Sequence, residues 1–473
     1  MKDFEKTSEK VPFVTKFFFG FGDVYGGGVF NIINFFYAIF LTDVIKIPPQ
    51  YASIIFLVGK IWDAVTDPIM GYISDRTKTR FGRRRPYFLA GVPFIFLSFV
   101  MVWYPVSFES IFARFLYAFF AYIFLNTVVT MVLIPYTAMS AEITLDYNER
   151  TAINSIRLVF SLISSLLCAV LPMMIVKAVG DVKKGYLLMS IIFGLFFALP
   201  YLGVFAFTKE QNFKPATTKL GFKELILEPL KIRTFRLYLA MFLFAYLSID
   251  TVSVIFPYYM KYYIGKPFFV SAVLGVLLFT EIIFVPVYAY IAQKISKNFA
   301  YIVGAFIWAI GGILTLVMRP EWSNNTLLIF AAIIGAGVSA VAVMPHTILG
   351  DVTDVGELKF NERREGTISS MATFLRKVAS ALVQALILLI LGVAGYINPK
   401  GNEIPVQPNS VINTIRSILA FGPIILLTFG VIAAIRYPLK PKIHEELKKL
   451  LKEKREFGKA DEQRLEQLRK ELI

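Results

Sequence analysis

The amino-acid sequence predicts an all-α polytopic membrane protein, with twelve transmembrane helices in two six-helix halves around a central cavity. Of its 473 residues, 56% are hydrophobic and 17% are charged, whereas about a quarter of the residues in ordinary soluble domains are charged. The mean hydropathy is +0.64. A helix needs about twenty apolar residues to cross a bilayer, and twelve runs meet that length.

These runs, called spans 1 to 12 below, cover residues 14–43, 51–74, 86–104, 110–141, 152–177, 185–207, 235–260, 269–292, 299–318, 325–349, 367–396 and 411–436. Lysine and arginine concentrate in three connections that follow even-numbered spans, at 76–85, 208–234 and 359–364. Because basic residues mark cytoplasmic loops, we expect a multi-pass plasma-membrane protein with both termini in the cytoplasm. The net charge of +16 then reflects loops that face anionic lipid, and we expect no nucleic-acid partner.

The basic connection between spans 6 and 7 suggests four segments: an N-terminal half (1–207), a cytoplasmic linker (208–234), a C-terminal half (235–437) and a charged tail (438–473). In the tail, the apolar residues Ile443, Leu447, Leu450 and Leu451 repeat at helical spacing, and Asp461 could cap a second helix. We expect a pair of amphipathic helices at the inner membrane surface. Whether they regulate or only stabilise the protein is open.

Span 2 contains the most informative residues, Asp63 and Asp67. On a helix they lie one turn apart on the same face, and two carboxylates at membrane depth are costly unless a cation, a proton or a basic side chain neutralises them. Pro68 has no N–H group, so the carbonyl of Ala64 loses its helical partner there. This oxygen cluster predicts a binding site for sodium or a proton. The alternative is a helix end with a capping aspartate and a proline kink.

The first half contains two further polar positions in apolar surroundings. On span 1, Asp23, Gly27, Asn31 and Asn34 form a stripe on one helical face, which predicts a lining for a solute cavity. Arg157 lies about two turns inside span 5, where it should meet an acid, and Asp23 is the candidate partner. Two alternatives remain open: a small-residue packing face with an incidental acid, and an arginine that snorkels to the cytoplasmic surface.

The second half has comparable positions. Asp250 in span 7 and Glu281 in span 8 are expensive in lipid and are functional candidates by default, although structural pairing would also explain them. Thr373 and Lys377 lie one turn apart on span 11. Lys377 is the natural counter-charge for the two acids of span 2, unless Arg376 and Lys377 both snorkel to the cytosol.

Charged residues at the cytoplasmic ends of spans 2 and 10 predict an inner gate. The gate candidates are Asp75, Arg76, Arg83, Arg84, Asp351 and Asp354. On span 10, Asp351, Asp354 and Glu357 are expected to face Arg363 and Arg364 across a short turn.

Several motifs resemble one known family. They are Trp62-Asp63-Ala64-x-x-Asp67-Pro68, Gly71-x-x-Ser74-Asp75-Arg76, Gly82-Arg83-Arg84-Arg85-Pro86, Ile134-Pro135-Tyr136, Glu149-Arg150-Thr151 and Gly350-Asp351-x-x-Asp354-x-Gly356-Glu357. Together they resemble the glycoside–pentoside–hexuronide:cation symporters, the melibiose-permease branch of the major facilitator superfamily. The resemblance runs over nearly the whole chain except the tail.

The resemblance implies cation-coupled symport of a sugar or glycoside by alternating access. It assigns the coupling sodium, lithium or proton to Asp63 and Asp67, with Thr373 and Lys377 close by, and sugar binding to Asp23 and Arg157. We accordingly expect Asn31, Lys377 and Asp250 to contribute to the solute site. The coupling ion would be the only bound cofactor. We expect a monomer and no enzyme, since two isolated histidines and one cysteine offer no catalytic set.

The sequence departs from melibiose permeases at two positions. Leu133 stands where those proteins carry a third acid, and Thr137 stands where they carry a tryptophan that packs against the sugar. The same branch includes animal lysolipid symporters, which resemble this chain in span 2. A lysolipid or another amphiphile is therefore the alternative solute.

Overall fold

The computed structural model describes residues 10–140, 142–144, 146–210, 228–360, 365–400, 404–457 and 461–473. These residues are predominantly helical. The helices of the first half are α1 Phe13–Phe21, α2 Asp23–Asp43, α3 Pro49–Arg76, α4 Arg85–Trp103, α5 Ile111–Met139, α6 Tyr147–Val179, α7 Val182–Ala198 and α8 Pro200–Phe207. Span 1 is thus built from α1 and α2, and span 6 from α7 and α8.

The second half begins with α9, Arg233–Tyr258, which continues into a π-helical turn at Tyr259–Tyr263. A 3-10 turn at Pro267–Phe269 then leads into α10. The remaining helices are α10 Val270–Lys294, α11 Lys297–Val317, α12 Asn324–Phe360, α13 Glu365–Val393, α14 Asn409–Arg436, α15 Pro441–Phe457 and α16 Glu462–Leu472. Spans 7 to 12 therefore correspond to α9 to α14, and the tail forms α15 and α16.

The helix lengths agree with a twelve-span membrane protein. Among the described residues, eleven helical stretches are long and apolar enough to cross a membrane. The twelfth predicted span is α3, whose 28 residues reach about 42 Å at 1.5 Å per residue, more than the roughly 30 Å of a bilayer core. Its apolar character is interrupted by charged residues, among them Lys60, Asp63 and Asp67. The predicted fold class is confirmed.

Contacts between helices divide the chain into two compact units. Unit 1 comprises 1–217, 268–271 and 388–408, and unit 2 comprises 218–267, 272–387 and 409–473. Much of the predicted linker, 211–227, lies outside the described residues. The four-segment division of the chain at 207, 234 and 437 therefore stays a prediction.

Capping side chains fix the start of several helices. In each case an oxygen of the residue before the helix accepts a hydrogen bond from the backbone N–H three positions later, which satisfies one of the unpaired donors of the first turn. The residues that cap in this way are Ser110, Asp146, Asp181, Ser296 and Asp461. The predicted cap at Asp461 is confirmed.

Glycines bring α2 and α6 into close contact in unit 1. A Cβ atom added at Gly27 would lie 2.7 Å from Ser161 Cα, and one added at Gly28 would clash with Ser164 Oγ. Neither position has room for a larger residue, so the glycines allow the two backbones to approach. This contact places the polar stripe of α2 against α6, the helix that carries Arg157.

The tail packs on unit 2. Leucines of α15 and α16, including Leu447, Leu465 and Leu468, are fully buried in the same apolar core as residues of α9 and α12. Arg464 joins the two tail helices through bonds of 2.6 and 2.8 Å to Glu446, and this contact holds the pKa of the Glu446 carboxyl below its usual range. The apolar face of the tail therefore packs against the helices of unit 2.

Candidate cation and solute sites

The two acids of span 2 lie inside α3. Asp63 is only 1% exposed, and Asp67 is half-buried. Because α3 continues through Pro68 to Arg76, neither acid caps a helix end. The capping alternative is therefore wrong, and the stacked pair of carboxylates is a feature of the helix interior.

A threonine of α5 contacts both carboxylates of this pair. The Thr130 hydroxyl lies 3.1 Å from Asp63 Oδ1 and 2.9 Å from Asp67 Oδ1, and Thr66 Oγ1 lies 3.4 Å from Thr130 Oγ1. A hydroxyl has one proton and two lone pairs, so Thr130 can donate to only one carboxylate at a time. Its lone pairs are then available to a cation, as carboxylate and hydroxyl oxygens are hard ligands. Sequence reasoning missed Thr130.

Asp23 and Arg157 form the predicted ion pair in unit 1. Arg157 Nε lies 3.3 Å from Asp23 Oδ2, and the guanidinium carbon lies 5.6 Å from the centre of the Tyr136 ring. Asp23 is 8% exposed and is the first residue of α2, where the helix dipole favours a negative charge. Arg157 therefore meets an acid inside the protein, and the snorkelling alternative is not needed.

Asn31 links the same two helices. Its Nδ2 donates to Ser165 Oγ at 2.6 Å and to the Gly27 carbonyl at 2.9 Å. These contacts fit the packing interpretation of the polar stripe. A role for Asn31 in solute binding stays a prediction.

The arginines after span 2 form a buried network with acids from other helices. Arg84 is 7% exposed and donates to Glu142 at 2.8 and 3.0 Å and to Asp75 at 2.9 Å. Arg83 adds a contact of 3.1 Å to Glu142. Glu142 thus joins Arg83 and Arg84, and Arg84 in turn joins Asp75. Three of the predicted gate residues therefore lie together, and sequence reasoning did not assign Glu142 to the gate.

A second acid, which was not predicted, caps the N-terminus of α4. Glu210 accepts hydrogen bonds from the backbone N–H groups of Arg83 at 2.8 Å, Arg84 at 2.6 Å and Arg85 at 3.1 Å. An anion at this position satisfies the unpaired donors and the dipole of a helix N-terminus. Arg76 instead stacks on its own helix, with its guanidinium carbon 3.7 Å from the centre of the Tyr72 ring.

The acids at the end of α12 have partners in unit 2. Lys297 Nζ lies 2.7 Å from Asp351, His444 Nε2 lies 2.9 Å from Asp354, and Arg455 Nε lies 2.9 Å from Glu357. The predicted partners of these acids, at positions 363 and 364, lie outside the described residues. The tail thus supplies two of the bonds, and the gate function of Asp351 and Asp354 stays a prediction.

The candidates of span 11 lie in unit 2. The Thr373 hydroxyl donates to the Ser369 carbonyl at 3.0 Å, a bond within its own helix. Lys377 belongs to the same unit, whereas Asp63 and Asp67 belong to unit 1. The expected contribution of Thr373 and Lys377 to the cation site stays a prediction.

Residues 18–441 match the family model described as MFS/sugar transport protein. The chain belongs to this family. An isoprimeverose transporter of Lactiplantibacillus pentosus is 26% identical over 96% of this chain and 95% of its own length. A sodium-dependent lysophosphatidylcholine symporter of Danio rerio is 26% identical over 91% of this chain and 88% of its own length.

The fold of this MFS/sugar transport protein matches solved transporters. A crystal structure of a D-xylose–proton symporter aligns with a TM-score of 0.65 and 15% identity, over 90% of this chain and 97% of that one. The resemblance to glycoside–pentoside–hexuronide symporters is confirmed. The chain is a multi-pass membrane transporter of the major facilitator type, and the relatives named above are transporters rather than enzymes.

The two positions that depart from melibiose permeases lie on α5 of this MFS protein. Leu133 lies against α2, where a Cβ atom on Gly26 would be 3.5 Å from Leu133 Cδ2. The Thr137 hydroxyl donates to the Ile134 carbonyl of its own helix at 3.1 Å. An aliphatic group and a small hydroxyl thus take the places of the acid and the tryptophan.

Proposed function

We propose that this protein couples the downhill flow of Na⁺ or H⁺ to the uptake of a sugar or glycoside by alternating access. The carboxylate pair of Asp63 and Asp67 around the Thr130 hydroxyl carries the proposal. Two adjacent acids inside a spanning helix are expensive when both are ionised, and one bound cation relieves their repulsion. Thr373 is the further cation-binding residue that we propose.

Charge compensation supplies the coupling. A carrier that closes around an unpaired charge pays a large desolvation cost, so the carrier changes conformation readily only when the charge of its two acids is compensated. The cation therefore has to accompany the solute. The downhill movement of the cation then drives the solute uphill.

Asp23 and Arg157 support a sugar as the solute. A carboxylate accepts and a guanidinium donates hydrogen bonds, so the pair can bind both functions of a sugar hydroxyl. Asn31, Lys377 and Asp250 are the further solute residues that we propose. The isoprimeverose transporter among the relatives supports a glycoside, whereas the lysophosphatidylcholine symporter keeps a lysolipid as the second candidate.

The membrane arrangement is part of the same proposal. Basic connections after even-numbered spans support a plasma-membrane carrier with both termini in the cytoplasm. Asp75, Arg83, Arg84, Asp351 and Asp354 would hold its inner gate, together with Arg76. We propose a monomer as the working unit.

Flux measurements in proteoliposomes test the function. Purified protein is reconstituted with an inward Na⁺ or H⁺ gradient, and radiolabelled isoprimeverose, xylose and lysophosphatidylcholine are offered in turn. We expect concentrative uptake of a sugar that disappears when the cation gradient is collapsed. Uptake of lysophosphatidylcholine alone would establish the second candidate, and gradient-independent uptake of every solute would contradict symport.

Thr130→Val should weaken cation binding without removing either carboxylate. A hydrogen bond to a charged group contributes about 1.5–3 kcal/mol, which corresponds to a loss of cation affinity of about 10- to 100-fold. Titration calorimetry with NaCl, or with acid in sodium-free buffer, measures the affinity. Thr127→Val is the matched control, because its hydroxyl accepts from Trp62 Nε1 at 2.9 Å and contacts neither acid. Equal affinities in the two variants would exclude Thr130 from the site.

A further inference from the structure

Unit 2 contains a buried carboxylate with an unused oxygen. Asp250 on α9 is 2% exposed, and its Oδ2 atom is buried without a hydrogen-bond partner in the described part of the chain. Leaving a buried polar atom unpaired is costly, and such atoms are rare in folded proteins. A ligand group that donates a hydrogen bond would satisfy this Asp250 oxygen.

An arginine with an unused donor lies in the same part of unit 2. The guanidinium carbon of Arg376, on α13, lies 4.1 Å from the centre of the Tyr246 ring, and its Nε is buried without a hydrogen-bond partner in the described ranges. Tyr246 lies one turn before Asp250 on α9. Asp250, Glu281 and Arg376 are all close enough to act electrostatically on the Tyr246 hydroxyl, which bonds to His346 Nε2 at 2.6 Å.

These groups do not neutralise one another directly. No ion pair or hydrogen bond joins Asp250, Glu281 and Arg376 within the described residues. Unpaired ionisable groups at membrane depth are functional candidates. The cluster thus offers one acceptor and one donor that the fold leaves unused.

The arrangement repeats that of unit 1. There, an acid on the first span, Asp23, meets an arginine on the fifth span, Arg157, beside the ring of Tyr136. In the second half, Asp250 again lies on the first span and Arg376 on the fifth, beside a tyrosine ring. The difference is that Asp23 and Arg157 contact each other, whereas Asp250 Oδ2 and Arg376 Nε have no hydrogen-bond partner among the described residues.

We propose that Asp250 and Arg376 form a second solute subsite that binds a hydroxyl group. A hydroxyl can accept from Arg376 Nε and donate to Asp250 Oδ2 at the same time. A hydroxyl group suits a pair of opposite charges, because it can use the acid as acceptor and the arginine as donor without bringing a charge of its own. The inference rests on the proposed symport of a sugar and describes that solute further, as one that presents a hydroxyl group to Asp250 and Arg376.

Variants of the full-length protein test the subsite with the sugar that wild-type protein concentrates. Asp250→Asn and Arg376→Gln should each lower the affinity for that sugar by at least about 10-fold, the effect of losing one charged hydrogen bond. The affinity for the coupling cation should stay within about 2-fold, because the site at Asp63 and Asp67 is intact. Arg416→Gln is the matched control, since Arg416 also lies over a tyrosine ring, at 4.5 Å from the centre of Tyr263.

Singly deoxygenated analogues of the same sugar give the sharper test. One analogue should bind more weakly than the parent sugar to wild-type protein and to Arg416→Gln. To Arg376→Gln it should bind as well as the parent sugar does, because that variant no longer contacts the missing hydroxyl. Such non-additivity identifies a direct contact. Thermal unfolding of each purified variant shows whether the fold is retained, and Arg376→Lys provides a second variant that keeps the charge.

The outcomes separate the subsite from the function. Suppose that wild-type protein takes up the sugar, and that folded Asp250→Asn and Arg376→Gln bind it with wild-type affinity. The subsite is then overturned, and the proposed symport is unaffected. If no analogue shows the non-additive pattern, Asp250 and Arg376 do not share a hydroxyl and the subsite is also overturned. Concentrative uptake of lysophosphatidylcholine without any sugar uptake, or no coupled flux at all, overturns the sugar assignment together with the subsite.

Discussion

Asp67→Asn and Asp63→Cys are each expected to abolish concentrative uptake. One charge that moves down 100 mV supplies about 2.3 kcal/mol, enough to accumulate solute about 50-fold. A variant that no longer binds the cation cannot use this energy, so the ratio of internal to external solute should fall to about one. Radiolabelled solute in energised proteoliposomes measures this ratio.

Solute counterflow is the internal control for these two variants. Exchange of labelled for unlabelled solute needs no net driving force, so it shows whether an uncoupled variant still binds and moves the solute. Asp181→Asn is the matched substitution, because Asp181 caps α7 in an exposed loop and should leave accumulation unchanged. Uphill uptake that survives in both Asp67→Asn and Asp63→Cys would place the coupling site elsewhere.

Arg84→Gln is expected to lower the free energy of unfolding by about 3–5 kcal/mol, the usual effect of removing one partner from a buried ion pair. Arg84 is 7% exposed and bonds to two acids, so its loss leaves the buried Glu142 with less compensation. Thermal or denaturant unfolding of the purified protein, followed by intrinsic fluorescence, measures the change.

Arg80→Gln is the control for the arginine network. Arg80 is exposed, and its guanidinium carbon lies 4.7 Å from the centre of the Phe81 ring, so its replacement should cost less than about 0.5 kcal/mol. Adding Glu142→Gln to Arg84→Gln removes the stranded carboxylate and should recover part of the lost stability. Equal stability of Arg84→Gln and Arg80→Gln would show that the buried network does not hold unit 1 together.

Spacing along one helix could be predicted from the sequence, and contacts between helices mostly could not. The stacked acids Asp63 and Asp67 follow from a separation of four residues, and an arginine deep in an apolar run has to meet an acid, which gave Asp23 for Arg157. Thr130 is different. It lies three residues after Thr127 on α5, and only the packing of α5 on α3 shows which of the two hydroxyls reaches the carboxylates.

Polar residues near the cytoplasmic ends were the least predictable. Glu142 and Glu210 lie in the connections after α5 and α8, where an acid is common and has no periodic pattern. Their partners at 83–85 are more than fifty residues away along the chain, a separation that local patterns do not encode. The contact between His444 and Asp354 was also missed. The amphipathic pattern of the tail indicates a helix but does not indicate the surface on which that helix packs.

The shared hydroxyl of Thr130 has a consequence for stoichiometry. Both carboxylates lie within 3.1 Å of one hydroxyl oxygen, so we expect them to bind one monovalent cation jointly rather than one cation each. Transport should then carry one positive charge per cycle, and its rate should rise hyperbolically with cation concentration. Voltage and chemical gradient would set the accumulation limit through that one charge.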